Sequence, residues 1–332
     1  MTDALFLTSE AVDDLATPAD YVAAVRDGYR EVGEGAPAEP RTLLPSGDPP
    51  GMLTTYVAML PEVGAMGGYT YAAGFAERDA WFLTPLFDAE TGEPLAVIDG
   101  ASMNPFKTGA AGAVAVDASG RASASTVAVI GSGPQARGQL RTTATVRDLT
   151  GVRVFSPTPA NRESFADEFA ERLDADVTAV SSADAALADA DVVITATTAS
   201  EPVIADADVE PGTHVTAMGQ YAADKHELPP ELVARATYVP DLTARATRDA
   251  GSFIAAREAG LVSDDDLEVE LGDVVAGSHP GRTSDDEVTV FDSGGTGIET
   301  VAAAHMLYER AREAGRGTPL SIAPASEALT GR

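Results

Sequence analysis

Apolar residues recur along this chain at two spacings, and the pattern they make changes near residue 104. The stretch TPADYVAAVRDGYREV, from Thr17 to Val32, places apolar side chains at helical intervals behind a threonine-proline start. That predicts an amphipathic helix with Thr17 as its N-cap. Short alternating runs follow, LTTYVAML, GYTYAAGF, WFLTPLFDAETG and EPLAVIDG, and turn residues over 88–94 part the last two as in a hairpin. Residues 1–100 are therefore expected to form an antiparallel sheet with one leading helix. Residues 104–116, NPFKTGAAGAVAV, turn small and helical, and DASGRASAS over 117–125 carries the punctuation of a linker or domain edge.

Beyond residue 125 strand and helix alternate. TVAVIGSG, VRVFS, VTAVSS, DVVITATTA, HVTAMG and TYVPD read as strands, with helices from Gln135, from Ala160 and near Ala183. Apolar strands joined by helical crossovers imply a parallel sheet covered on both faces. Past Asp249 helices dominate, with EVTVFDSGG as one further strand, and TGIETVAAAHMLYERAREAG is a strong amphipathic helix expected to return to the first domain. The expected fold class is α/β, a Rossmann dinucleotide-binding domain over 119–304 plus an antiparallel α+β domain made of 1–118 with 305–332.

Composition narrows the function classes. The 332 residues are 44% hydrophobic and 22% charged, without a run of apolar residues long enough to span a bilayer. The start, MTDALFLTSEAVDD, has no basic n-region, so neither a secretory signal nor a membrane anchor is expected, and the protein should be cytoplasmic. The absence of cysteine excludes disulfides, thiolate metal sites and cysteine nucleophiles, and four scattered histidines without H-x-x-x-H spacing argue against a zinc site. Twenty-two basic against 52 acidic side chains give a formal net charge of −30, and Lys107 and Lys225 are the sole lysines. Self-repulsion of that size is tolerable where salt screens it, which points to a halophilic cytoplasm. The same surface repels nucleic acid.

The chemistry is concentrated after residue 126. Thr126–Ile130 is a short β-branched strand running straight into Gly131-Ser132-Gly133-Pro134-Gln135-Ala136, the G-x-G-x-x-A form of the dinucleotide fingerprint. Gly131 permits the tight turn, Gly133 lets backbone approach a pyrophosphate, and Ala136 allows close helix-to-strand packing, while free N–H groups of the following helix face the anion. Strand before, helix after and further βα units make the motif specific. An acid at the end of the second strand would grip the ribose of NAD; VRVFS has none. Ser156, Thr158, Asn161 and Arg162 offer donors to a 2′-phosphate, which modestly favours NADP(H); the alternative is that Ser156-Pro157-Thr158-Pro159 only caps the next helix.

The order PFKTGAAGAVAV, TVAVIGSGPQARGQL, VRVFSPTP, DVVITATT, MGQYAADKHEL and FDSGGTGIETVAAA resembles the ornithine cyclodeaminase and μ-crystallin family, from about residue 41 to 312. The resemblance implies a homodimer with an antiparallel dimerisation domain, a Rossmann domain and an active site between them. It also implies hydride exchange between an amino or imino carbon and NAD(P). Members include archaeal alanine dehydrogenases, ketimine reductases and ornithine cyclodeaminases.

Carried across residue by residue, Arg41 in PRTLLP stands where the family binds the substrate carboxylate. Lys107 replaces a second arginine, keeping the charge and losing the bidentate fork. Thr108 beside it is placed to donate to a cofactor phosphate. Thr197 and Gly219, ending the fourth and fifth strands, complete the cofactor set. Tyr69 stands where the family has a catalytic lysine and Tyr221 where it has an aspartate; each either transfers a proton or fills a cleft, and tyrosine, with an ordinary pKa near ~10, is a poor base. The implied function is an NAD(P)-dependent oxidoreductase acting on the C–N bond of a small α-amino or α-imino acid. The alternatives are a non-catalytic NAD(P)-binding protein, a true ornithine cyclodeaminase, and a shikimate- or glutamyl-tRNA-reductase-like enzyme, which fits the TGAAGA and DSGG segments less well.

Overall fold

A computed structural model describes residues 2–75 and 80–330; residues 1, 331 and 332, at the ends of the expected first domain, lie outside the described residues. In chain order the first elements are β1 (Thr2–Leu7), α1 (Ser9–Val12), α2 (Pro18–Gly33), β2 (Ala38–Gly47), β3 (Pro50–Leu60), β4 (Ala65–Ala73), β5 (Trp81–Asp88), β6 (Pro94–Asp99) and α3 (Asn104–Ser119). Then come β7 (Thr126–Ile130), α4 (Pro134–Thr143), β8 (Gly151–Phe155), α5 (Pro159–Ala170), β9 (Asp176–Ala179), α6 (Ala183–Leu187), β10 (Val192–Thr195) and β11 (His214–Ala217). The chain ends with α7 (Pro230–Arg235), β12 (Thr237–Pro240), α8 (Thr243–Asp249), α9 (Gly251–Glu258), α10 (Leu271–Ala276), β13 (Thr289–Asp292), α11 (Gly297–Glu313), β14 (Thr318–Ile322) and α12 (Ala325–Thr330). Two compact units result: residues 1–107 with 296–332, and residues 108–295, the boundary falling inside α3.

The first unit is a seven-stranded sheet in the order β14-β1-β6-β5-β4-β3-β2. It is antiparallel except for the parallel pair β1–β6, so the antiparallel expectation needs correcting at that one pairing. Strands β1, β2 and β14 join the four expected ones. Pro40 and Pro45 interrupt the apolar alternation of β2, and an edge strand tolerates them because one side of it needs no ladder donors. Alternation is clean in β3, where Thr54, Tyr56, Ala58 and Leu60 are buried while Leu53, Val57 and Met59 face outward.

Helices α2 and α11 cover the inner face. Thr17 and Asp20 close a reciprocal capping box at the start of α2. Arg310 of α11 grips the same Asp20 with two bonds of 2.7 and 2.9 Å, which holds that carboxyl well below the usual carboxylate range. A Cβ on Gly28 would lie 3.1 Å from the Ala302 Cβ, so this glycine lets the two helices approach closely.

The second unit is an all-parallel seven-stranded sheet in the order β12-β13-β11-β10-β7-β8-β9. Its central strands are buried on both faces: Ala128 and Ile130 of β7 enter one apolar core with Val193, Val215 and Val290, and Val127 and Val129 enter the other with Leu140, Phe165 and Phe169. The chain runs outward from β7 through β8 to β9, then returns to β10 on the other side of β7. The topological switch point is therefore between β7 and β10, where open α/β sheets bind ligands beyond the carboxyl ends of the strands. Among the described residues, no helix is long and apolar enough to cross a membrane.

Candidate functional site

In the second unit, the glycine loop leaves β7 at the switch point. Gly131 has φ +118°, a conformation costly for any residue with a Cβ, and a Cβ there would overlap the Ala196 carbonyl after β10. Its N–H donates to the Phe155 carbonyl at 2.8 Å, tying the loop to the end of β8. Gly133 is different: its backbone is ordinary (φ −80°), and nothing lies within 4 Å of where a Cβ would stand. The loop is thus a cradle with a rigid wall at Gly131 and open space over Gly133. Pro134 opens α4, and no side chain caps that N-terminus, which leaves its N–H groups available to an anion. Ala136 is fully buried against the sheet, as close packing requires.

The neighbouring residues fix this loop. Ser132 donates its hydroxyl to that of Ser156 at 2.9 Å, and Arg137 donates to the Ser132 carbonyl while pairing with Glu168 at 2.8 Å. Ser156 therefore anchors the glycine loop rather than capping α5. Thr158 holds the N-cap position of α5 without a side-chain bond and is exposed, and Arg162 donates to the Ser156 carbonyl at 2.8 Å with its guanidinium over Phe155. Thr108 presents its carbonyl to Gln139 of α4 at 3.0 Å.

Thr197 and Gly219 lie in the loops after β10 and β11 and share one buried carboxylate, Glu227, which accepts both of their N–H groups at 2.7 Å and the Thr195 hydroxyl at 3.0 Å. Burial pushes the Glu227 carboxyl up, against the pull of those hydrogen bonds. Tyr221 follows on the β11 loop, 38% exposed, beside Gly294. A second buried network ends the sheet: Arg245 pairs with Asp241, Asp249 and Asp292 at 2.5, 2.9 and 2.7 Å, joining the ends of β12 and β13. Burial opposes the charge on Arg245, but the three carboxylates outweigh it and hold the guanidinium protonated.

In the first unit, Arg41, Lys107 and Tyr69 fall into one buried cluster. The register of β2 on β3 slips between Glu39 and Thr42, and this irregularity places Arg41 among inner-face side chains although β2 is an edge strand. The Arg41 guanidinium donates to the Tyr71 hydroxyl at 3.4 Å and stands 5.6 Å from the centre of the Tyr56 ring; Lys107 Nζ is 5.8 Å from that same ring and 4.9 Å from the Tyr69 ring. Two cations thus share one aromatic ring.

Lys107 is paired at 3.3 Å with Glu299, both side chains 1% exposed. Glu299 also accepts the Thr296 N–H at 2.7 Å and the Thr296 hydroxyl, closing the capping box of α11. Tyr69 is fully enclosed, stacked on Phe82, and donates its hydroxyl to the Gly100 carbonyl at 3.2 Å. Burial and the neighbouring tyrosines push its pKa far above the ordinary value, so it stays a phenol at neutral pH.

Comparison with known proteins identifies the family. The model of the ornithine cyclodeaminase/mu-crystallin family matches residues 2–315. The chain belongs to this family. Among its relatives is a Delta(1)-pyrroline-2-carboxylate reductase of Bacillus cereus, 35% identical over 70% of this chain and 71% of that protein. The Delta(1)-pyrroline-2-carboxylate reductase of Thermococcus litoralis, solved in complex with NADH and L-proline, superposes with a TM-score of 0.89 at 29% identity, over 95% of this chain and all of the other. An archaeal alanine dehydrogenase, solved as a dimer with bound NAD, also reaches 0.89 at 29% identity, over 97% of this chain and all of the other.

Three charged groups that build these sites were not singled out from the sequence. Glu299 was legible in principle as the fourth residue of the Thr296-x-x-Glu299 capping box. Glu227 stood in KHEL as a family match without a role. Arg245 carried a local signal in the i,i+4 spacing of Asp241, Arg245 and Asp249, but its third partner, Asp292, lies 47 residues away on another strand.

Proposed function

We propose that the chain is an NAD(P)H-dependent reductase of a small α-imino acid, working on its C–N bond. The observation that carries this is the Gly131–Gly133 cradle at the switch point of the parallel sheet, open over Gly133 and walled by Ala196. Gly131, Ser132, Gly133 and the N-terminus of α4 hold the pyrophosphate, and Thr197 and Gly219 border the second nucleotide. When bound, the reduced nicotinamide supplies hydride to the imine carbon.

The other groups belong to the chain itself. Arg41 and Lys107 bind the substrate carboxylate, and Glu299 holds the lysine in place. Tyr56, Tyr69 and Tyr71 give that carboxylate site aromatic walls. Tyr69 does not act as a base, because its proton is committed to Gly100 and burial disfavours the phenolate. Replacing Tyr69 by phenylalanine is expected to leave the pH profile of turnover between about 6 and 9 unchanged, at a stability cost of about 1 kcal/mol for the lost hydrogen bond. Loss of one limb of that profile would show Tyr69 to be a proton carrier.

The end of β8 lacks a carboxylate for the ribose, and exposed Thr158 with Arg162 nearby supports a preference for NADP(H). The direct test is oxidation of NADPH and NADH with Δ1-pyrroline-2-carboxylate and with pyruvate plus ammonia. Turnover is expected with the cyclic imine, and with NADPH ahead of NADH. Tight coenzyme binding with no oxidation across the panel would favour the non-catalytic reading.

The outer face of the first sheet supports a homodimer: Leu44, Leu53, Val57, Met59, Leu83 and Phe87 are exposed on it, and Val57, Met59 and Phe87 line a groove of about 390 Å³. A second copy of this chain is the occupant we assign to it, as the archaeal relative is a dimer. The net charge of −30 supports a high-salt cytoplasm. Light scattering and thermal melts between roughly 0.1 and 3 M KCl check both proposals, since the Debye length falls from about 10 Å to below about 3 Å over that range. A dimer whose melting midpoint climbs with salt is expected; a monomer, or an unchanging midpoint, contradicts the respective proposal.

A further inference from the structure

We propose that Glu227 is a positioning residue for the nicotinamide half of the coenzyme. The proposal rests on the coenzyme reading above and concerns a residue that touches neither coenzyme nor substrate. A doubly wound sheet binds a dinucleotide with two halves, one nucleotide to each, on the two sides of the switch point. The half that starts at β7 carries the glycine loop, so the half that starts at β10 borders the second nucleotide, and its first two loops are those of Thr197 and Gly219.

Both loops hang on one carboxylate. Glu227 is 1% exposed; one oxygen accepts the Thr197 N–H at 2.7 Å, and the other accepts the Gly219 N–H at 2.7 Å and the Thr195 hydroxyl at 3.0 Å. Three donors facing two oxygens suit the ionised, acceptor-only form, which no neutral side chain of that shape reproduces. The two loops are also locked to each other. Gln220 donates to the Thr197 carbonyl at 3.0 Å, and a Cβ on Gly219 would lie 2.5 Å from both the Thr197 nitrogen and the Glu227 carboxylate. Backbone therefore meets backbone there with the carboxylate as the wedge. In the variant Glu227→Gln an amide nitrogen must face one of the three donors, so at least one loop loses its anchor. The glycine loop after β7 makes none of these bonds.

The test compares two probes on the full-length protein by calorimetry or fluorescence: NADH, and ADP-ribose, which lacks the nicotinamide. If NADPH is the tighter coenzyme, it and 2′-phospho-ADP-ribose replace them. For Glu227→Gln, ADP-ribose affinity is expected to stay within about twofold of wild type, while NADH affinity falls at least tenfold and the fluorescence of bound nicotinamide changes. A parallel loss of both probes would make Glu227 a general structural residue, and unchanged NADH binding would remove it from the site; either overturns the proposal. Should Glu227→Gln not fold, Thr195→Val removes one donor and leaves the carboxylate. A threefold loss of NADH affinity with ADP-ribose unaffected is expected from it, and no difference between the probes overturns the proposal. Wild-type protein that binds neither probe would instead defeat the coenzyme reading itself.

Discussion

Valine in place of Gly133 is expected to weaken coenzyme binding at least 100-fold, about 2.7 kcal/mol, in a protein that still folds normally. Gly133 has ordinary extended backbone and open space on its Cβ side, so the fold has no objection to a side chain. Valine is a poorer N-cap than glycine, which costs about 1 kcal/mol and shifts the melting midpoint by a few degrees at most in a chain of this length. What valine does obstruct is the space through which a pyrophosphate reaches the loop nitrogens. Gly131→Ala makes the control. There a positive φ and the Ala196 carbonyl both resist a Cβ, so the variant is expected to lose several kcal/mol of stability together with binding. Melting curves paired with coenzyme titrations separate the two cases. Equal loss of stability in both variants, or full binding by Gly133→Val, would mean that the open space has another use.

Replacing Lys107 by methionine is expected to destabilise the first unit by roughly 3–5 kcal/mol, because the Glu299 carboxylate would be left buried without its cation. The same change removes one of two charges from the proposed carboxylate site, so the KM for an imino acid should rise severely. The two effects can be pulled apart. In the double variant Lys107→Met with Glu299→Gln no buried charge is stranded, and glutamine can still accept the Thr296 N–H. Stability should largely return while the KM stays high. Recovery of both would mean that Lys107 has only a structural part, and a wild-type KM in the single variant would exclude it from substrate binding.

What could be read in advance follows from how local each signal is. The parallel sheet was legible because short, largely apolar runs such as β7 and β10 alternate with helical segments, and the glycine loop because strand, turn and helix adjoin in one segment. The edge strand β2 was not, since Pro40 and Pro45 erase its alternation, and the irregular pairing that brings Arg41 inward depends on its partner strand. Strands β1 and β14 are short, and β1 pairs with segments roughly 90 and 315 residues away, beyond the reach of periodicity. The same distance hid the Lys107–Glu299 pair, whose members are 192 residues apart. Tyr69 was recognised as a position of interest, but its bond to Gly100, which settles how poor a base it is, is a tertiary fact.

The central claim is that backbone nitrogens of the Gly131–Gly133 loop hold the pyrophosphate of a nicotinamide coenzyme. Calorimetric titration of the wild-type protein in molar KCl with NADPH and NADH tests it most directly. Saturable binding of one coenzyme per chain, abolished by Gly133→Val, is the predicted result; no heat from either coenzyme in a protein shown to be folded would contradict it.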